Sequence, residues 1–140
     1  MSQTIAVFCS SSSHIAPHYF AAAADFGQRL ARRGWTLVYG GSDVGLMADA
    51  FVALPGGVGT LEEILEVLAL KDLSCHHKPV VFLNTAGFYD RLAALFEQLY
   101  HEGFSRPALR HLHTFVPDVP ALMAYLEAYQ PPDVPRKWGG

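Results

Sequence analysis

The sequence predicts an α/β fold, a doubly wound parallel sheet flanked by helices, in a single domain over residues 1–130 with an extended tail over 131–140. Three observations predict it. Short apolar runs that do not alternate with polar residues recur along the chain, as strands covered on both faces do. Segments of helical period lie between them. Three of the runs also stop in Ser- or Gly-rich turns, and α/β folds collect their ligands outside the carboxyl ends of their strands.

Composition narrows the partners. Of 140 residues, 51% are hydrophobic and 16% charged, enough apolar material for a well-buried core. A net charge of −3, with ten Lys plus Arg spread along the chain, gives no basic surface for nucleic acid or an anionic membrane. The expected partner is a small molecule or a second copy of the chain. Cys9 and Cys75 are too few for a disulfide scaffold or a zinc site, and read as reduced thiols of a cytoplasmic protein. No basic leader opens the sequence and no apolar run reaches the length of a membrane span.

The first strand is Ile5-Ala6-Val7-Phe8, flowing into Cys9-Ser10-Ser11-Ser12-Ser13. These loop hydroxyls suit a ribose or phosphate, and equally suit a polar turn that caps a helix. A helix follows over 17–33, opened by Pro17 and closed by Gly34, with Phe20, Ala23, Ala24, Phe26, Leu30 and Ala31 inward. Arg29, Arg32 and Arg33 complement its carboxyl end as a solvated face. Thr36-Leu37-Val38-Tyr39 is the second strand, breaking into Gly40-Gly41-Ser42-Asp43-Val44-Gly45-Leu46-Met47.

The third strand, 50–54, ends in Pro55-Gly56-Gly57-Val58-Gly59-Thr60, after which a helix is expected over 61–73 with Leu61, Ile64, Leu65, Leu68 and Leu73 inward. Glycines let backbone come close to a ligand and take positive φ, and the first amides of a helix lack internal partners, so this turn is an anion site suited to phosphate. Thr60-Leu61-Glu62-Glu63 also spells a capping box, Thr60 as cap and Glu63 reaching back to its amide. The alternative is that Glu63 works on a bound phosphosugar, as acid/base or by stabilising a cationic sugar.

His76 and His77 are adjacent, so they point apart on an extended chain, and no metal site is expected. Val80-Val81-Phe82-Leu83-Asn84 is a strand buried on both faces, followed by a turn at 85–87 and an amphipathic helix over 88–102 carrying Leu92, Leu95, Phe96 and Leu99. His113-Thr114-Phe115-Val116 reads as an edge strand and Leu122, Met123 and Leu126 as the core face of a last helix. The tail from Gln130, rich in proline, is expected to be loose.

One feature of the spacing conflicts with the rest. If the two glycine-rich turns share a crevice, the second and third strands must be parallel, yet about ten residues separate Tyr39 from Phe51, fewer than a parallel crossover normally takes. Either those strands form an antiparallel hairpin, or a βα segment of roughly 30 or more residues is absent between Met47 and Ala48. Absence is the expectation.

Read together and in this order, Phe8-Cys9-Ser10-Ser11-Ser12, then Tyr39 through Met47, then Pro55 through Glu63 make the chain resemble the Lonely Guy family, cytokinin-activating phosphoribohydrolases long mislabelled as lysine decarboxylases. The resemblance implies a Rossmann-like fold, a homodimer, no cofactor, and hydrolysis of the N-glycosidic bond of an AMP-like nucleoside 5′-monophosphate, often N6-substituted, to free base and ribose 5-phosphate. It implies Glu63 as the catalytic glutamate. Gly56, Gly57, Val58, Gly59, Thr60 and Glu62 would hold the phosphoribose, and Gly40, Gly41, Ser11 and Met47 would shape the pocket. Ser10 and Ser42 stand where the family commonly has glycine, and Ala69-Leu70-Lys71-Asp72-Leu73-Ser74 replaces a usual T-W-x-Q-L-G. The family's Arg-Lys helix between its second and third motifs has no counterpart, which for a true deletion implies a folded remnant without hydrolase activity. The reading from a different class is a non-catalytic nucleotide or cofactor carrier on the same fold.

Overall fold

The structure, a computed structural model, describes residues 2–40 and 47–138. Strand β1 (Thr4–Phe8) leads to helix α1 (Pro17–Arg32) and strand β2 (Thr36–Tyr39). Strand β3 (Ala50–Ala53) precedes helix α2 (Val58–Asp72) and strand β4 (Val80–Leu83). A short turn of helix at Thr85–Gly87 leads to α3 (Asp90–His101), another at Pro107–His111 to β5 (Thr114–Val116), and α4 (Val119–Ala128) follows. The strands form one sheet in the order β2-β1-β3-β4-β5, with every pair parallel.

The pleat sorts the core into two layers. Ile5, Val7, Val52, Val81 and Leu83 point to the face covered by α1 and α4, where they meet Phe26, Leu30, Leu122 and Leu126. Their neighbours Ala6, Phe8, Phe51, Ala53, Val80 and Phe82 point to the face covered by α2 and α3, meeting Ile64, Leu68, Phe96 and Tyr100. Phe82 is fully buried, and such a side chain contributes about 1.5–3 kcal/mol by leaving water. The periodicity misplaced some helix residues. Phe20 is 47% exposed because the inward stripe of α1 runs through Phe26 and Leu30, and Leu65 and Leu73 lie outside the α2 stripe of Thr60, Ile64, Leu68 and Asp72.

The second and third strands are parallel, as the reading of an absent segment requires, each pairing with an opposite edge of β1. Tyr39 thus ends β2 at the carboxyl side of the sheet, and Ala50 begins β3 at its amino side. Asp49 fixes the arrival, its amide donating to the Thr4 carbonyl and its carboxylate accepting from the Thr4 amide, both at 2.7 Å. The outer strand β2 is left thinly covered, with Tyr39 70% exposed, whereas β3 and β4 are buried throughout.

The tail is extended but tied down. Tyr129 donates to the His77 carbonyl at 2.9 Å, Val134 rests on the α2–α3 core, and Lys137 reaches Asp72 at 3.0 Å. Arg106, paired with Asp72 at 2.7 Å, also donates to the Pro135 carbonyl. Buried Asp72 supplies the anchor that the proline-rich sequence conceals.

Candidate functional site

Between β1 and β3 the direction of winding reverses, since β2 lies on one side of β1 and β3 on the other. A crevice outside the carboxyl ends at such a point is where doubly wound sheets bind ligands. Three connections border it: Cys9–Ser13 after β1, Gly40 after β2, and Pro55-Gly56-Gly57 after β3.

The third of these is not a capping box. Gly57 is the N-cap, extended at φ −96°, ψ −157°, and no side chain caps the helix. The first helical bond runs from the Leu61 amide to the Gly57 carbonyl at 3.1 Å, so α2 starts at Val58, one turn earlier than the Thr-x-x-Glu pattern suggested. Thr60 is thereby inside the first turn and 4% exposed, and Glu63 is well into the helix, out of reach of a cap. The amides of Val58, Gly59 and Thr60 precede any carbonyl that could take them within the helix.

The glycines of this turn do not adopt positive φ, contrary to the sequence expectation; Gly34, Gly87 and Gly103 are the described glycines that do. They are needed for room. A Cβ on Gly56 would stand 2.2 Å from Thr60 Oγ1 and 2.7 Å from Thr60 Cβ, whereas at Gly57 and Gly59 it would meet nothing within 4 Å. The first glycine lets the turn close on Thr60, and the other two leave open space before the amides. Gly56→Ala should destabilise the fold by about 1–3 kcal/mol, because Thr60 Cβ belongs to a buried helix turn and cannot swing aside. A shift of the urea midpoint at constant m measures this, and an unchanged midpoint would refute the close contact.

Glu63 points back along α2, as helix side chains do. Its Oε2 is buried and, among the described residues, has no hydrogen-bond partner. It lies against Gly40: a Cβ there would be 2.1 Å from Oε2 and 2.5 Å from the Phe8 ring. Leaving such an oxygen unsatisfied costs about 1–3 kcal/mol or more, so fold stability does not explain its position. The nearby Cys9 thiol has its pKa raised, first by burial and then by the negative charge of Glu63.

The structure thus gathers Glu63, Gly40, Gly56, Gly57, Gly59 and Thr60, with Ser11 exposed in the adjoining β1 loop. Val58, 84% exposed, sits at the mouth of the same turn. Glu62, about 100° further round the helix from its neighbour, is exposed to solvent. Met47 is not brought in. It is 83% exposed and lies two residues before Asp49, which is bonded to Thr4 at the amino end of the sheet, away from the crevice. Gly41 lies outside the described residues.

Sequence reasoning missed Tyr89. Its buried hydroxyl donates to the Leu54 carbonyl at 2.5 Å, its amide donates to Asn84 Oδ1 at 2.6 Å, and burial drives its pKa upward. The bond fixes the residue just ahead of the glycine turn, and the one available signal was a polar-tipped aromatic in an otherwise apolar stretch. Among the described residues no group of three His, Cys, Asp or Glu could hold a metal ion. His76 instead braces backbone, its Nε2 2.9 Å from the Val67 carbonyl and its Nδ1 accepting from the Lys78 amide at 3.2 Å. The lysines are remote: Lys71 bonds Tyr129, Lys137 pairs with Asp72, and Lys78 lies over the Phe51 ring.

This fold and this turn define a doubly wound α/β protein in which a glycine turn opens a helix that carries the buried Glu63 oxygen. A family model described as "Possible lysine decarboxylase" matches residues 44–126. The rice protein named "Probable cytokinin riboside 5'-monophosphate phosphoribohydrolase LOGL5" is 36% identical, the match covering 91% of this chain and 73% of that protein. The Arabidopsis thaliana proteins named "Cytokinin riboside 5'-monophosphate phosphoribohydrolase" LOG5 and LOG7 are 33% and 34% identical, over 91% of this chain and 78% and 82% of theirs. The chain belongs to this family, the Lonely Guy phosphoribohydrolases. Structures of the molybdenum cofactor carrier protein from Chlamydomonas reinhardtii share the fold, with TM-scores of 0.63 and 0.67 at 18% and 19% identity, over 91% of this chain and 96% and 97% of theirs.

The match with the rice protein runs over 179 positions but draws on 91% of 140 residues, about 127, so about fifty positions of that relative face no residue here. No described helix is long and apolar enough to cross a membrane.

Proposed function

We propose that this chain hydrolyses the N-glycosidic bond of adenosine 5′-monophosphates, N6-substituted ones included, to the free base and ribose 5-phosphate. The observation that carries the reading is the buried Glu63 oxygen, without a partner among the described residues, held against Gly40 at the reversal point of the sheet, behind a phosphate-type turn. The amides of Val58, Gly59 and Thr60 take the 5′-phosphate, and Ser11 offers a hydroxyl to the sugar. As the C1′–N9 bond lengthens, positive charge builds on the sugar and the bonding pair leaves with the base. The Glu63 carboxylate stabilises that charge and orients a water, whose oxygen bonds C1′ and whose proton ends on the base. Incubating the protein with AMP and with isopentenyladenosine monophosphate should release base and ribose 5-phosphate in equal amounts. Nucleotide that stays bound and intact would instead support the carrier reading.

We read the absent stretch as lying between Met47 and Ala48, where the relatives' extra residues would cover β2 and supply a cation to the phosphate or the leaving base. Losing one such group costs about 10²–10³ in rate, so beside the inert remnant expected from the sequence stands slow turnover, and the assay above distinguishes the two.

The protein is further read as a cytoplasmic homodimer. Leu65 and Leu70, each 36% exposed, and Leu73, 48% exposed, leave an apolar flank on α2 beyond what the sheet covers. Sedimentation equilibrium should give about twice the 15.3 kDa chain mass, and Leu70→Glu should return it to monomer. A monomer at all concentrations would remove this element.

A further inference from the structure

A second polar cavity lies at the opposite pole of the molecule, under the tied-down tail at the carboxyl end of α2. Its volume is about 160 Å³, and Lys71, Ser74, His77, Arg106 and Asp133 line it, with Val134 on its apolar wall. Lys71 is the unusual member. It is 3% exposed, and its ammonium donates to the Tyr129 hydroxyl at 2.8 Å while sitting 5.1 Å from the centre of that ring. Among the described residues no carboxylate comes within ion-pair distance of it.

The surroundings offset this charge only in part, since Asp133, the one carboxylate among the lining residues, is itself exposed to solvent and faces both Lys71 and Arg106 as cations of the same lining. Asp72, the nearest buried acid, is already shared by Arg106 at 2.7 Å and Lys137 at 3.0 Å, so that trio carries one net positive charge before Lys71 is counted. The carbonyls that end α2 are engaged by backbone: Leu73 donates to Ala69, Ser74 to Lys71 and Cys75 to Leu70. The helix end can offer at most about half a negative charge. Burial lowers the pKa of Lys71 to about 8, and the Lys71 charge contributes, after burial, to the lowered values of His76 and His113. A buried cation with a phenol as its recorded partner is costly, and an anion entering the cavity would relieve that cost.

The geometry points to a binding site for a small tetrahedral oxyanion, of the class of inorganic phosphate, between Lys71 and Arg106. The donors outnumber what a carboxylate could use. After Tyr129, Lys71 keeps two N–H groups; Arg106 keeps two beyond those given to Asp72 and Pro135; Ser74 adds a hydroxyl and His77 a ring nitrogen. The cavity is too small for a nucleotide. It is also separate from the glycine turn, which begins the other end of the same 15-residue helix, about 22 Å away.

Titrating the full chain with inorganic phosphate at ionic strength matched by chloride tests this. A saturable rise in Tm is expected, with the half-saturating concentration increased about tenfold or more in Lys71→Met, corresponding to one lost charge-assisted contact. In the wild-type protein the Lys71 ε-methylene resonance should shift along the same titration, a readout that does not depend on the variant folding. No saturable rise, or an unmoved Lys71 resonance, overturns the proposal. So does an undiminished response in Lys71→Met, which would place phosphate at the glycine turn alone.

Discussion

Glu63→Gln is expected to lower base release by about 10²–10⁴-fold while the protein stays folded. The substitution keeps the shape of the side chain against Gly40 and Phe8 and removes its charge. If the carboxylate were a structural group, losing it would expose a broken bond. Oε2 has no described partner to lose, and a neutral amide is less costly to bury than an unpaired carboxylate, so stability should hold or rise. Cys9 provides a readout independent of turnover. Its thiol pKa is raised by burial and secondarily by Glu63, so removing the charge should bring it down and increase the thiolate fraction at a given pH. Alkylation of Cys9, mapped apart from the exposed Cys75, should then be faster in the variant. Unchanged turnover in Glu63→Gln would end the hydrolase reading. Unchanged alkylation would show that the carboxylate does not lie where it is placed here.

Restoring the absent stretch should have the next largest effect. Inserting the corresponding residues of the rice relative, about fifty, between Met47 and Ala48 is expected to raise kcat/KM for AMP by about 10²–10³. The same insertion should bury Tyr39, now 70% exposed, which its fluorescence quenching by acrylamide would report. A folded insertion variant with protected Tyr39 and no gain in rate would mean that the missing cation comes from elsewhere.

The strands and the order of helices were legible because burial on both faces of a parallel sheet leaves a local signature, as in Val80-Val81-Phe82-Leu83. The glycine turn was legible for a similar reason, since Gly56, Gly57 and Gly59 are adjacent in sequence as well as in space. The start of α2 was not. Val58 and Gly59 are poor helix formers, and Thr60-Leu61-Glu62-Glu63 imitates a cap, but the close approach of Thr60 to Gly56 draws the helix one turn back. The short link from β2 to β3 was legible as a conflict: too few residues for an ordinary parallel crossover, and the parallel pairing is the outcome that the reading of an absent segment requires. What joins distant parts of the chain left no local trace: Tyr89 to Leu54 across 35 positions, Arg106 to Asp72 across 34, Lys71 to Tyr129 across 58. Buried Lys71 and Asp72 look, in sequence, like the ordinary solvated end of an amphipathic helix.

The Tyr89 hydroxyl, in holding the Leu54 carbonyl, clamps the glycine turn to the root of α3. That turn cannot hinge without breaking a buried bond, so a ligand entering the crevice would meet it already shaped. The serine-rich rim after β1 is built differently, its exposed Ser11, Ser12 and Ser13 held by short local bonds from the Ser12 amide to Ser10 and from the His14 amide to Ser12.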